Sequence, residues 1–85
     1  MRLYLQIQPE SSEPVRFYQL SLEQDLLGGW SLLREWGIQG GRISLKREQF
    51  LSHTDALVAF AKHRDAQLKR GFLVMFSQGA DASGR

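Results

Sequence analysis

Apolar and polar residues alternate along most of the first fifty positions, which is the period of a β-strand with one face buried. In the first such stretch, Leu3, Leu5 and Ile7 alternate with polar neighbours. The second stretch, Val15 to Leu22, carries apolar residues on both of its faces. Because a strand with two apolar faces is covered on both sides, this pattern predicts a central position in a sheet.

The stretch from Gly28 to Phe50 holds both tryptophans and much of the glycine. Residues spaced by two in its first half share one face of an extended strand, and they are Trp30, Leu32, Arg34, Trp36 and Ile38. Gly40 and Gly41 can supply the positive φ angles of a two-residue turn. A return strand from Arg42 to Glu48 alternates in the same way. The pattern predicts a β-hairpin with a tryptophan near its tip and cations beside it.

After Phe50 the spacing of apolar residues changes to that of an α-helix. Ser52 fits the N-cap of this helix and Asp55 fits its third position, as in a capping box. Gly71 is placed to end the helix, after two cations that suit a helix C-terminus. The apolar stripe expected to face the sheet consists of Leu57, Phe60, Ala61 and Leu68.

The rest of the chain completes an α+β fold. Phe72 to Phe76 is apolar and rich in β-forming residues, which predicts a final strand. Residues 9–14 are polar and bounded by prolines, which predicts a surface loop. We expect one domain over residues 1–76, an antiparallel β-sheet of about five strands with one α-helix packed on one face, in the order β-β-β-β-α-β. Residues 77–85 are small or polar and are expected to form a disordered tail.

The composition limits the size of the domain and its cellular environment, but it does not identify a function. The chain has 85 residues and no cysteine, which leaves room for one small core and excludes disulfides and thiolate metal sites. It lacks a run of about 18 apolar residues and the apolar segment of a signal peptide, so we expect a cytoplasmic protein without membrane contact. The net charge is only +2, but most cations follow residue 41, so the second half can present a basic patch.

The candidate chemistry centres on Trp36. A base that stacks on an exposed aromatic ring gains about 1–3 kcal/mol. Arg34, Arg42 and Lys46 would supply cations for the phosphates beside it. The competing interpretation is that Trp36 belongs to the core and that the cations form a solvated strand face.

Catalytic and metal-binding patterns are missing from the sequence. His53 and His63 are the only histidines, whereas a zinc site needs about four convergent ligands. Ser52 and His53 are adjacent in sequence and lack the third, orienting group of a triad. The glycine pairs lack the following helix and the lysine of a phosphate-binding loop. We therefore expect a chain that is not an enzyme and that holds no metal or cofactor.

The order of several short pieces resembles the WGR domain, a family named for a Trp-Gly-Arg triplet. These pieces cover roughly residues 2–76 and are Arg16-Phe17-Tyr18-Gln19-Leu20, Trp30 to Trp36-Gly37, Phe50, Ala56, Phe60, Lys69 and Gly71-Phe72. WGR domains occur in poly(ADP-ribose) polymerases and in bacterial proteins, and this chain resembles the short free-standing bacterial type. The resemblance implies an antiparallel sheet with a helix against it. It also implies DNA binding near strand breaks, with Trp36 packed against a terminal nucleotide.

Two positions depart from the family pattern and leave two functions open. Ile38 stands where the triplet has arginine, and Val15 stands where nucleic-acid-binding members tend to have asparagine. Both changes remove polar groups from the surface that would face a nucleotide. The first function is nucleic-acid binding at a DNA end or a single strand, through Trp36, Gly37, Arg34, Arg42 and Lys46. The second is a protein–protein or homodimer contact through the apolar Trp36–Ile38 surface.

Overall fold

The computed structural model describes residues 1–8 and 12–79, which form five β-strands and one α-helix. The strands are β1 (Arg2–Ile7), β2 (Arg16–Gln24), β3 (Trp30–Ile38), β4 (Ile43–Phe50) and β5 (Leu73–Gln78). The helix α1 (His53–Lys69) connects β4 to β5. All neighbouring strands pair antiparallel in one sheet, in the spatial order β4-β3-β2-β1-β5. The predicted α+β fold and element order are confirmed.

The strand β2 is central in the sheet, as its two apolar faces predicted. Tyr18, Leu20 and Leu22 are buried on the face that α1 covers. Phe17 is buried on the opposite face, where its ring stacks on Tyr4 with a centroid distance of 5.9 Å. The strand β2 therefore contributes buried side chains to both faces of the sheet.

The helix α1 packs across one face of the sheet and begins where the sequence predicts. Ser52 is its N-cap, and the Ser52 hydroxyl accepts a hydrogen bond from the Asp55 backbone N–H at 3.2 Å. Gly71 follows the helix with a φ of 102°, a conformation that favours glycine. Phe60 is fully buried against Leu20 and Leu32 of the sheet. Within the described residues, α1 falls short of the length and apolarity needed to cross a bilayer.

The predicted apolar stripe of α1 is partly wrong. Phe60 is buried, but Leu57 and Leu68 are 37% and 41% exposed. The buried residues of the helix are instead Ala56, Phe60 and Gln67. Ala56 and Gln67 each lie one position before a predicted leucine, which is about 100° around the helix. The small side chain of Ala56 lets the helix approach the sheet closely, so the bulkier Leu57 remains beside the contact.

The turn between β3 and β4 is wider than the predicted two-residue turn. Gly37 pairs with Ile43, so residues 38–42 lie between the paired positions. Of the glycine pair, only Gly40 has a positive φ, at 78°. A Cβ atom at Gly37 would collide with the backbone carbonyl oxygen of Arg42, so the absence of a side chain lets the turn fold back over β3. Arg42 consequently stays in the turn, and the return strand begins at Ile43.

The last strand is longer than predicted. Ser77 and Gln78, which we expected in a disordered tail, belong to β5 and pair with Leu3 and Arg2 of β1. Pairing with β1 extends the strand over these two polar residues, whose side chains alone do not predict a strand. Residues 80–85 of the expected tail and residues 9–11 of the expected loop lie outside the described residues.

Candidate functional site

Trp36 is half-buried near the turn end of β3, on the face of the sheet that α1 covers. Its register partner on β2 is Tyr18, and the two rings stack with a centroid distance of 5.8 Å and an interplanar angle of 18°. The Arg34 guanidinium carbon lies 5.4 Å from the centre of the Trp36 ring, within the range of a cation–π contact. These two contacts fix the orientation of the indole.

A groove of about 260 Å³ opens beside this stacked pair, and we call it the aromatic groove. Its aromatic lining includes Tyr18, Trp36 and Phe72. The Phe72 ring meets Tyr18 edge-on at a centroid distance of 6.4 Å. Gly37 and Ile38 continue the lining along β3. The groove therefore combines flat apolar walls with an opening at the edge of the α1 face.

Three arginines from three separate elements surround the aromatic groove. Arg16 starts β2, Arg42 lies in the β3–β4 turn, and Arg70 is the C-cap of α1. All three are exposed. Arg70 lies over the Phe72 ring at 5.8 Å, and its guanidinium donates a hydrogen bond to the Gln67 side-chain oxygen at 3.1 Å. The lining described for this groove contains no carboxylate, so its charge is positive.

Arg34 lies beside the groove and is held by a polar cluster. Its side chain is only 15% exposed, and its Nε lies 3.5 Å from Glu48 Oε1, an ion-pair contact too long for a hydrogen bond. A terminal guanidinium nitrogen donates to the Tyr18 hydroxyl at 3.3 Å. The Arg34 side chain thus contacts both members of the Tyr18–Trp36 stack, which suits it to positioning the rings.

His63 connects this polar cluster to the helix. Its Nε2 lies 3.2 Å from Glu48 Oε1. Burial is the largest influence on the pKa of His63 and lowers it below 6.5, and the positive charge of Arg34 lowers it further. The hydrogen bond to Glu48 acts in the opposite direction without reversing the shift. A neutral His63 that donates from Nε2 to the carboxylate satisfies this geometry near pH 7.

The five residues expected at the site fall into three groups. Trp36, Gly37 and Arg42 line the aromatic groove together. Arg34 contacts the stacked rings from the side. Lys46 is exposed and pairs with Arg34 across β3 and β4, two register pairs away from the Trp36–Ser44 pair that borders the groove.

Sequence reasoning did not assign Arg16, Tyr18, Arg70 or Phe72 to this site. A shared spacing links the missed residues to the expected ones. Arginine precedes an aromatic residue by two positions at Arg16–Tyr18, Arg34–Trp36 and Arg70–Phe72. In the strands β2 and β3 this spacing places the cation and the ring on the same face. Arg70 is instead the C-cap of α1, and the turn at Gly71 brings its guanidinium over the Phe72 ring.

His53 and Ser52 make structural contacts at the start of α1. His53 stacks on Trp30 with a centroid distance of 4.1 Å, at the other end of β3 from the aromatic groove. The Ser52 hydroxyl caps the helix rather than facing a base. In the part of the chain that the structure describes, no group of three or more His, Cys, Asp and Glu side chains could hold a metal ion.

Comparison with known proteins agrees with the fold. A family model described as the WGR domain matches residues 1–77. A protein of Sinorhizobium fredii (strain NBRC 101917 / NGR234), named "Uncharacterized protein y4dW", is 32% identical over 71 residues. The match includes 84% of this chain but only 35% of that protein, so the chain spans about a third of its curated relative. No solved structure matches the chain.

Proposed function

This chain belongs to the WGR domain family, and on that premise we propose that it is a non-enzymatic module that binds nucleic acid in the aromatic groove. The ligand is a DNA end or a single strand. The observation that carries the proposal is that the stacked rings of Trp36 and Tyr18 line the same groove as three exposed arginines. A nucleotide needs both features, because its base or sugar packs on a flat ring while its phosphate pairs with a guanidinium.

The groove suits a small part of a nucleic acid rather than a long duplex surface. Its volume of about 260 Å³ accommodates one nucleotide unit. Arg16, Arg42 and Arg70 approach from different elements, so they can contact successive phosphates on either side of that unit. We assign Arg34 the role of holding the Trp36 ring, and Lys46 remains a predicted outer phosphate contact.

A protein partner on the Trp36–Ile38 surface is the alternative function. Ile38 does line the groove beside Trp36, which adds apolar surface to it. The same surface carries three arginines, however, and an apolar partner would remove them from water without pairing their charges. Positive charge around an aromatic wall favours an anionic ligand, so nucleic acid is the preferred partner. A nucleic-acid partner agrees with the cytoplasmic location that we expect from the sequence.

A direct test measures binding to fluorescent oligonucleotides by anisotropy at low salt, with blunt, nicked and single-stranded substrates. Trp36→Ala removes the stacking surface and is expected to weaken binding by about 5- to 150-fold, from about 1–3 kcal/mol per stacked base. Phe76→Ala is the control, because Phe76 is an exposed aromatic residue on β5, outside the groove. Circular dichroism verifies that both variants fold. Absence of binding to all three substrates would refute the proposal.

A further inference from the structure

Glu48 is shared between two partners on the α1 face of the sheet. Its Oε1 atom lies 3.5 Å from the Nε of Arg34 on β3 and 3.2 Å from the Nε2 of His63 on α1. We call these three side chains the Glu48 cluster. Because one carboxylate oxygen serves both partners, a change in the charge of His63 alters the electrostatic compensation that Arg34 receives.

The contact of Glu48 with Arg34 is electrostatic rather than a hydrogen bond. The Nε of Arg34 is buried and has no hydrogen-bond partner among the described residues. The guanidinium is instead held at its far end, by the Tyr18 hydroxyl at 3.3 Å and by the Trp36 ring, whose centre is 5.4 Å away. Because a buried N–H group is normally paired, this orphaned donor indicates that Glu48 is not committed to Arg34. Glu48 therefore compensates the charge of Arg34 without fixing its position.

Several charged groups surround His63, because β2, β3 and β4 all pack against α1. The charged and titratable side chains on this side of the sheet, together with the helix neighbours of His63, are Arg16 and Tyr18 of β2, Arg34 of β3, Lys46 and Glu48 of β4, and Lys62 and Arg64 of α1. Burial lowers the pKa of His63, and the charges of Arg34 and Lys62 lower it further, whereas Glu48 raises it. His63 is accordingly neutral near pH 7 and takes up a proton in mildly acidic solution.

We propose that Glu48 and His63 set the charge beside the aromatic groove, so that the groove binds nucleic acid more tightly when His63 is protonated. The inference rests on the proposed function, because it concerns the same ligand in the same groove. With a neutral His63, the charges of Arg34 and Glu48 cancel. With a protonated His63, Glu48 pairs with the imidazolium in a charge-assisted hydrogen bond, and the Glu48 cluster carries a net positive charge.

The additional charge reaches the ligand through Arg34. Neither Glu48 nor His63 belongs to the lining described for the groove, whereas the Arg34 guanidinium contacts Trp36, which does. Glu48 and His63 are thus positioning residues that act through Arg34 rather than by touching the ligand. A unit charge about 10 Å from a phosphate changes the affinity by about two- to tenfold at low salt. By linkage, a bound nucleic acid raises the pKa of His63 in return.

The experiment is an anisotropy titration of the wild-type chain from about pH 8 to about pH 5 at constant low salt, with an oligonucleotide whose ends carry no phosphate. A terminal phosphate would itself titrate near pH 6 and obscure the effect. We expect the affinity to increase about two- to tenfold across this range. His63→Gln should abolish the increase, because glutamine can donate a hydrogen bond to Glu48 but stays neutral. The matched control is His53→Gln, which removes the histidine stacked on Trp30 at the far end of β3 and should preserve the increase.

Replacing Glu48 tests whether its carboxylate is the shared element. Glu48→Gln leaves Arg34 uncompensated at every pH, so the affinity of this variant at the alkaline end should already exceed that of the wild-type chain by about two- to tenfold. The remaining increase toward acidic pH should be small, because loss of the Glu48 carboxylate lowers the pKa of His63 further. Glu35→Gln is the charge-matched control. Glu35 lies on the face of β3 opposite α1, so this variant should keep the wild-type increase.

The outcomes separate this inference from the proposed function. Wild-type binding of equal strength at both ends of the pH range overturns the inference and leaves the proposed function standing. An increase that persists in His63→Gln, or that disappears in His53→Gln, also overturns the inference. A chain that binds no oligonucleotide at any pH refutes both proposals. Proton NMR of His63 should show a higher pKa with the oligonucleotide than without it, and circular dichroism at each pH verifies that the compared chains are folded.

Discussion

Replacing the three arginines around the aromatic groove tests whether they act on phosphates. The variant Arg16→Gln/Arg42→Gln/Arg70→Gln removes three exposed positive charges from the lining of the groove. Glutamine retains hydrogen-bonding capacity but cannot displace counterions from a nucleic acid. The change therefore affects the salt dependence of binding in a way that a general loss of fold would not reproduce.

The expected magnitude follows from the number of contacts. Each phosphate contact contributes about 0.9 to the slope of log affinity against log salt on duplex DNA, and about 0.7 on a single strand. Three contacts account for about 2.7 on a duplex or about 2.1 on a single strand. Over a fourfold rise in salt, these contacts alone weaken wild-type binding about 40-fold or about 20-fold, respectively. The size of the lost slope thus also distinguishes the two ligand types.

The assay is anisotropy titration at several salt concentrations, for the wild-type chain and two variants. A matched control, Arg2→Gln/Arg47→Gln/Lys62→Gln, changes net charge by the same amount at three exposed cations outside the groove. The control should keep the wild-type slope, although its weaker overall field lowers affinity slightly. Equal losses of slope in both variants would show that binding depends on net charge alone, which contradicts a phosphate role for the groove.

Three other predictions concern single residues. Gly37→Ala should lower the free energy of unfolding, measured by urea denaturation, by about 1–3 kcal/mol, because the added Cβ would collide with the Arg42 carbonyl oxygen. The control Gly41→Ala has room for its Cβ and should change this free energy little. The unfolded chain binds a proton at His63 more readily than the folded chain, so the free energy of unfolding should fall as pH drops through 6.5, and His63→Gln should reduce that fall. Ile38→Arg should tighten nucleic-acid binding and steepen its salt slope by about 0.7–0.9; weaker binding would favour an apolar protein partner.

Local patterns were sufficient to predict the elements of this fold. The alternation around Leu3 and Leu5 and the two apolar faces of β2 depend only on the period of an extended chain. The N-cap at Ser52 depends on a hydrogen bond spanning three residues. Each of these features is decided by neighbours in sequence, which explains why the number, order and type of elements follow from local patterns alone.

The composition of the aromatic groove does not follow from local patterns in the same way. The alternation with period two predicts which face of its strand Tyr18 or Trp36 occupies, but it does not predict which residue of β2 pairs with Trp36. That pairing depends on the register of two strands, and the position of Arg70 depends on where α1 ends over the sheet. The prediction of the buried stripe of α1 was partly wrong for a related reason. Apolar residues occur around much of the helix, and packing against the sheet buries Ala56 rather than Leu57.

Partial burial of Trp36 reconciles the two interpretations that the sequence left open, core residue and ligand platform. A freely rotating surface indole loses side-chain entropy when a ligand stacks on it, which offsets part of the stacking energy. In this chain the Tyr18 ring stacks on the indole, and the guanidinium of Arg34, which is linked through Glu48 to His63 of α1, lies 5.4 Å from the centre of the indole. The ring is therefore ordered before a ligand arrives. By this reasoning, the packing that makes Trp36 resemble a core residue is also what would make it an effective surface for a nucleotide.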